Sequence, residues 1–189
     1  MKIQQVTKEH HAKVYALLRA AFPGRGDEAA LVQKLHENGR PLQEWVCIHI
    51  NKAIAYIAFS NAYHGEAVCG LHLAPLAVAP EFQRQGVGSE LLRFALRQEA
   101  IRSQSLFVLG KPGFFQRFGF APCRMPSCPL TSTNRHFQAL RLPACADFTV
   151  GYEPEFKPAA GPPLTTGTGS KGACPPKKSS GKRTKEQKS

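Results

Sequence analysis

The sequence predicts an α/β protein: a mixed α/β sandwich with one central sheet flanked by helices. Three observations predict it. Apolar residues recur at helical spacing in two stretches near the N-terminus, then at strand spacing in three consecutive runs, and after residue 80 helical and strand patterns alternate. Strands that meet first in hairpins and later alternate with helices belong to a mixed sheet.

The elements follow in order. "KIQQV" reads as a short strand, and Thr7 is placed to cap a helix whose stripe Val14, Leu17, Leu18, Ala21 and Phe22 follows the i, i+3, i+4, i+7, i+8 pattern. "PGRG" ends that helix. Asp27 can cap a second one through "EAALVQKLHE", which stops at Asn38-Gly39, residues that commonly close a helix. "EWVCIHI" and "AIAYIAFSNAY" form a hairpin around Asn51-Lys52, and "AVCGLHLAPLAVA" is a third long strand after His64-Gly65. Proline donates no backbone hydrogen bond, so Pro75 predicts a bulge before Val78. A helix "SELLRFALRQEAIR", a strand "SLFVLG", a helical turn in "GFFQRFGF" and a last strand near "FQALRL" complete the series. There is no internal repeat.

Composition bounds the rest. With 189 residues, 42% of them hydrophobic, and twelve phenylalanines, the chain is one domain in size and can bury a core. The six cysteines, Cys47, Cys69, Cys123, Cys128, Cys145 and Cys174, are scattered, with no CxxC pair and no Cys/His spacing suited to tetrahedral zinc. Neither a metal site nor a disulfide framework is expected. The N-terminus lacks the continuous apolar core of a signal peptide and no later run is long enough to span a bilayer, so a cytoplasmic protein with reduced thiols is expected. From residue 158 the chain turns to Pro, Gly, Ser, Thr and Lys. It holds seven Lys/Arg against Glu186, which is half of the net charge of +12. Such a segment buries too little to offset its ordering entropy, so the division is a folded domain over 1–157 and a disordered basic tail over 158–189. The tail either solubilises the protein or makes a weak contact with nucleic acid, ribosomes or acidic partners; it has no aromatic residue for base stacking.

The chemistry concentrates in "PEFQRQGVGSELL". A chain that leaves a strand, turns through small residues and starts a helix presents unpaired N–H groups to an anion, aided by the helix dipole. Gly86 and Gly88 remove side chains that would block approach, and Arg84 adds a charge. No Lys-Ser/Thr follows the glycines as in a Walker loop, and the third glycine of a dinucleotide fingerprint is missing. A connection that merely permits helix–sheet packing is the alternative.

The order of residues in "LAVAPEFQRQGVGSELL" resembles the acetyl-CoA signature of the GNAT N-acetyltransferase superfamily, an apolar strand, a proline, then Q/R-x-x-G-x-G/A, with every fixed position filled by Gln83 to Gly88. "VLGKPGFFQRFGF" is similar to that superfamily's second landmark, in the form of its YhbS-like branch. With "GRGDEAALVQKL" and "VGYEPEF", the resemblance covers roughly residues 1 to 157.

The resemblance implies a V-shaped splay at the bulged fourth strand and acetyl-CoA as co-substrate, with no metal. It assigns the pantetheine arm to Leu76, Ala77 and Val78, the thioester carbonyl to the backbone N–H of Val78, and the pyrophosphate to the N–H groups of Arg84, Gln85, Gly86, Val87, Gly88 and Ser89. The reaction is acetyl transfer to a primary amine of a small molecule or protein in a ternary complex. A base must deprotonate that amine. His72 and Glu28 are the candidates, against a packed core histidine and a helix-dipole carboxylate respectively, while Glu81 reads as solvated. Many members protonate the leaving thiolate with a tyrosine, where this chain has Phe114-Phe115. Phe115 can line the pantetheine channel but gives no proton, leaving Cys123, Tyr152 or water. Acceptor choice is expected in the loops "NAYHGEAV" and "CRMPSCPLTSTNRH". Two other readings stay open: an acyl-CoA-binding module with little catalysis, and a nucleic-acid or ribosome-associated protein acting through its tail.

Overall fold

A computed structural model describes residues 1–24, 27–131, 133–143 and 147–156. Lys157 and the expected tail over 158–189 lie outside the described residues, as does the side chain of Asp27 with its expected capping role. Strand β1 (Lys2–Gln5) leads through a single 3-10 turn into α1 (His11–Ala21), followed by α2 (Asp27–Glu37). Thr7 does cap, but it caps the 3-10 turn, where its hydroxyl and backbone N–H both meet His10 Nδ1 at 2.9 and 3.0 Å. Then come β2 (Leu42–His49), β3 (Lys52–His64) and β4 (Ala67–Val78). The β2–β3 turn uses Ile50 and Asn51, both at positive φ, one residue earlier than expected.

The expected single helix after the glycine loop is two. α3 (Val87–Arg97) and α4 (Glu99–Arg102) are separated by Gln98, whose extended backbone (φ −65°, ψ 142°) breaks the helix while its Nε2 donates to Phe94 O at 3.1 Å. β5 (Leu106–Leu109), α5 (Pro112–Phe115), β6 (Ala121–Pro122), β7 (Phe137–Leu140) and β8 (Gly151–Tyr152) complete the fold. The two-residue strands β6 and β8 are too short to show a period in sequence.

The strands form one mixed sheet in the order β1-β2-β3-β4-β5-β7-β6, with β8 added to β3 beyond the end of β2. Among the named strands of the described residues, only the β4–β5 pairing is parallel. Strand alternation sends Trp45, Cys47, Ile57 and Phe59 toward α3, and Val46, Tyr56 and Ala58 toward α1 and α2, so the sheet is the middle layer between two cores. At Cys47/Ile48 the β2–β3 register slips by one residue, which lets both Ile54 and Ala55 join the α3 side. The consequential bulge lies in β4. Leu73 pairs with Phe59 and Leu76 with Ile57, so Ala74 and Pro75 together face Ala58 alone. That extra residue switches the parity of the strand: Leu71 and Leu73 face α3 before it, Leu76 and Val78 after it.

Candidate functional site

The bulge opens a gap in the sheet. Before it, β4 is paired on both sides: Leu71, for example, donates its N–H to Ser105 O at 2.9 Å on the β5 side. The β4–β5 ladder ends at Leu73 and Val108. Past the bulge, Ala79 N–H donates to Ile54 O at 2.8 Å, so in an antiparallel ladder Ile54/Ala79 and Tyr56/Ala77 are the hydrogen-bonded positions, while Leu76 and Val78 direct their N–H and C=O away from β3. The side they face is the one β5 has left. Gln83 Nε2 donates to Val78 O at 3.1 Å, which leaves the Val78 N–H as the open donor there. Ala77 differs from its two neighbours: its backbone serves β3, and its methyl is buried toward α1 and α2.

The gap is the floor of a cleft of about 800 Å³, lined by Leu73 to Leu76 and Val78 on one wall, Val108 to Lys111 on the other, and the glycine loop with the start of α3 at one end. The loop is pinned by its own side chains, since Gln85 Nε2 donates to Glu81 O at 2.7 Å. Gly86 caps α3 at φ +85°, and Arg84 before it also has positive φ. Glu90 is the first residue to reach back into the helix, to Gly86 O at 3.0 Å, so the amides of Val87, Gly88 and Ser89 have no intrahelical acceptor. The two glycines do different jobs. A Cβ on Gly86 would meet nothing within 4 Å, so that glycine serves the left-handed turn, whereas a Cβ on Gly88 would come 3.1 Å from Val78 Cγ2. Helix–strand packing thus accounts for Gly88, and the left-handed turn for Gly86.

The residues singled out from the sequence separate in space. Leu76, Val78, Arg84, Gly86, Val87, Gly88, Ser89, Glu28 and Phe115 line the cleft. Glu28 sits in the first turn of α2, and its buried Oε2 has no hydrogen-bond partner among the described residues. His72 is elsewhere. It is 2% exposed, lies outside the cleft lining, and is covered by the rings of Tyr152 and Phe156 at 4.3 and 5.2 Å. Burial pushes its pKa down to about 3, so it is a packed core histidine. Tyr152 and Cys123 belong to a further apolar cluster around Phe107 and Phe137, on the far side of β5 and β7, and burial raises both of their pKa values. Neither reaches the cleft. Glu81 forms an exposed ion pair with Lys52, which holds its carboxyl below the usual range.

Phe115 is 8% exposed and packs edge-on against Phe114 and Phe120 as part of the channel wall. Among the described residues, the two loops expected to select the acceptor contribute nothing to the lining, whereas Phe22 and Glu28, from the helix pair, do. The apolar stripe that contains Phe22 gives no sign of this, and the landmark "VLGKPGFFQRFGF" does not single out Lys111 and Arg117, which also line the cleft; the Arg117 guanidinium lies 5.1 Å over the Phe114 ring.

Comparison with known proteins bears on the family and the fold. The sequence profile described as "Acetyltransferase (GNAT) domain" matches residues 41–122, from β2 through the end of β6. The uncharacterized N-acetyltransferase YhbS of Escherichia coli K12 is 33% identical over 132 residues, covering 67% of this chain and 78% of that protein. The chain belongs to the GNAT N-acetyltransferase family. A second relative, the uncharacterized N-acetyltransferase YjhQ of the same strain, is 39% identical over 106 residues, a match that spans 53% of this chain and 59% of YjhQ. Among solved GNAT structures, E. coli YhbS in complex with CoA superposes with a TM-score of 0.75 at 26% identity, covering 82% of this chain and 90% of that one. A GNAT acetyltransferase from Brucella melitensis in complex with acetyl-CoA gives 0.69 at 25% identity, covering 82% and 97%. No helix among the described residues is long and apolar enough to cross a membrane.

Proposed function

We propose that the protein transfers the acetyl group of acetyl-CoA to a primary amine by direct attack within a ternary complex. The observation that carries this reading is the backbone of Leu76 and the N–H of Val78, unpaired by any strand and facing a gap in the sheet that leads to the first turn of α3, which has no side-chain cap. A pantetheine arm is an amide chain and pairs with such backbone as a strand would. The pyrophosphate then lies on the N–H groups of residues 84–89, where donors and helix dipole suit it. The Val78 N–H stabilises the oxyanion formed as the amine adds to the thioester, a contribution of about 3 kcal/mol for one such donor.

Glu28 takes the part of acceptor anchor and base. A buried carboxylate oxygen without a partner is costly, and an ammonium group supplies the missing charge before giving up its proton. The leaving thiolate takes a proton from water, since Phe115 has none and Cys123 and Tyr152 lie outside the cleft lining. A thiol of pKa about 8.5 leaves acceptably without an acid. Phe115 also favours a second reading, an acyl-CoA-binding module with little turnover. Isothermal titration with acetyl-CoA and a thiol-release assay over a panel of amines and peptides separate the two. Binding with amine-dependent CoA release supports the transferase, binding without release supports the module, and no binding overturns both.

A further inference from the structure

At the other end of the α1–α2 pair, the fold assembles a second polar cluster that no motif announces. His11 opens α1, His36 lies in the last turn of α2, and Glu44 is on β2; one ligand atom from each lies within 4.8 Å of the other two. We propose that these three side chains form a binding site for a divalent metal ion of the zinc class, which ties the helix pair to the sheet.

Three features support it. The donor set, two imidazoles and a carboxylate, suits zinc, and three protein ligands leave a fourth position for water. His36 Nε2 stands 3.0 and 3.1 Å from the two Glu44 oxygens, close to the edge of about 3.3 Å of a tetrahedral site with bonds of about 2.0 to 2.1 Å. The supporting groups are also in place: His36 Nδ1 lies 2.8 Å from the Tyr15 hydroxyl, and Tyr56 donates to Glu44 Oε2 at 2.6 Å, which leaves Oε1 to ligate. Such partners fix the tautomer and orientation of metal ligands.

His11 is the part that moves. Its ring is stacked on His36, with centroids 3.9 Å apart and planes 7° from parallel. Parallel rings cannot aim both lone pairs at one ion, so His11 turns out of the stack when the ion enters, a rotation its half-buried position permits. α1 spans His11–Ala21, about 15 Å of helix at 1.5 Å per residue, and separates this cluster from Phe22 at the cleft. The ion therefore has a structural role, apart from acetyl transfer.

The test titrates the full chain, stripped with a chelator and kept under a phosphine reductant, with Co²⁺ and then with Zn²⁺. The expected result is one Co²⁺ per chain with the visible absorption of a tetrahedral site and no thiolate charge-transfer band, displacement by Zn²⁺, and a Zn²⁺-dependent rise in Tm. His11→Ala leaves the His36–Glu44–Tyr15 contacts standing and is expected to weaken binding at least about 10-fold, as is Glu44→Gln, while acetyl-CoA affinity is unchanged. Absence of binding, a thiolate band, or affinity unchanged in His11→Ala would overturn the proposal, and none of these bears on the transferase reading.

Discussion

Gly86 separates the geometry of the anion cradle from its charge. Its backbone sits at φ +85°, ψ −9°, and a Cβ there meets no atom within 4 Å. Gly86→Ala therefore introduces left-handed strain alone, about 1 to 2 kcal/mol, which lowers Tm by roughly 2–4 °C for each kcal/mol in a chain of this size. Gly86→Glu carries the same strain and adds a carboxylate beside the amides of residues 84–89. At a separation of about 5.5 Å and an effective dielectric of about 20, repulsion from one phosphate charge is about 3 kcal/mol, or roughly 100-fold in Kd. Salt at about 0.1 M screens over about 10 Å and removes only part of it. Acetyl-CoA titration calorimetry, paired with thermal unfolding of each variant, reads the two effects separately. Affinity near wild type is expected for Gly86→Ala and loss of about two orders of magnitude for Gly86→Glu. If Gly86→Glu binds like wild type while folded, the pyrophosphate does not lie on this turn and the reasoning is wrong.

Glu28→Gln keeps the shape of the side chain but removes its basicity, so acetyl-CoA affinity should hold while amine-dependent CoA release falls by about 10² to 10⁴; an unchanged rate would remove Glu28 from the chemistry. His72→Phe should retain acetyl transfer with an unaltered pH–rate profile, measured between pH 6 and 9. The same variant changes acid stability. His72 has its folded pKa depressed to about 3 from 6.5, so its stabilisation is complete above pH 6.5 and is lost as pH falls toward 3, at about 1.4 kcal/mol per unit. Denaturant melts from pH 7 to 4 should accordingly decline less steeply in His72→Phe than in wild type. Gly88→Val forces a branched side chain against Val78 Cγ2, where even a Cβ comes to 3.1 Å, and should cost about 1 to 3 kcal/mol by urea unfolding. A loss below 0.5 kcal/mol, roughly the scatter of surface substitutions, would show that α3 shifts freely from β4.

By itself the sequence determined what depends on neighbours along the chain. The turn from Gln83 to Gly86, the presence of a helix after it, the interruption at Pro75 and the close of α2 at Asn38-Gly39 follow from local backbone preferences, which is why these features were legible, although α3 begins at Val87, two residues before the expected Ser89. Tertiary structure decided what depends on distant partners. Whether Leu76 and Val78 keep free backbone turns on where β5 stops pairing, at Val108, and nothing near residue 76 encodes that. His72 and Glu28 looked equivalent as candidate bases because both are ionisable residues beside plausible motifs. Burial tells them apart: Tyr152 and Phe156, some eighty residues further along the chain, cover His72, while Glu28 is left lining the cleft. The cluster of His11, His36 and Glu44 had no spacing to reveal it, since antiparallel packing of α1 and α2 brings the start of one helix beside the end of the other. Local conformational energies act over a few bonds and can be read in order, whereas desolvation and electrostatic pairing act through space and exist only once the chain has folded.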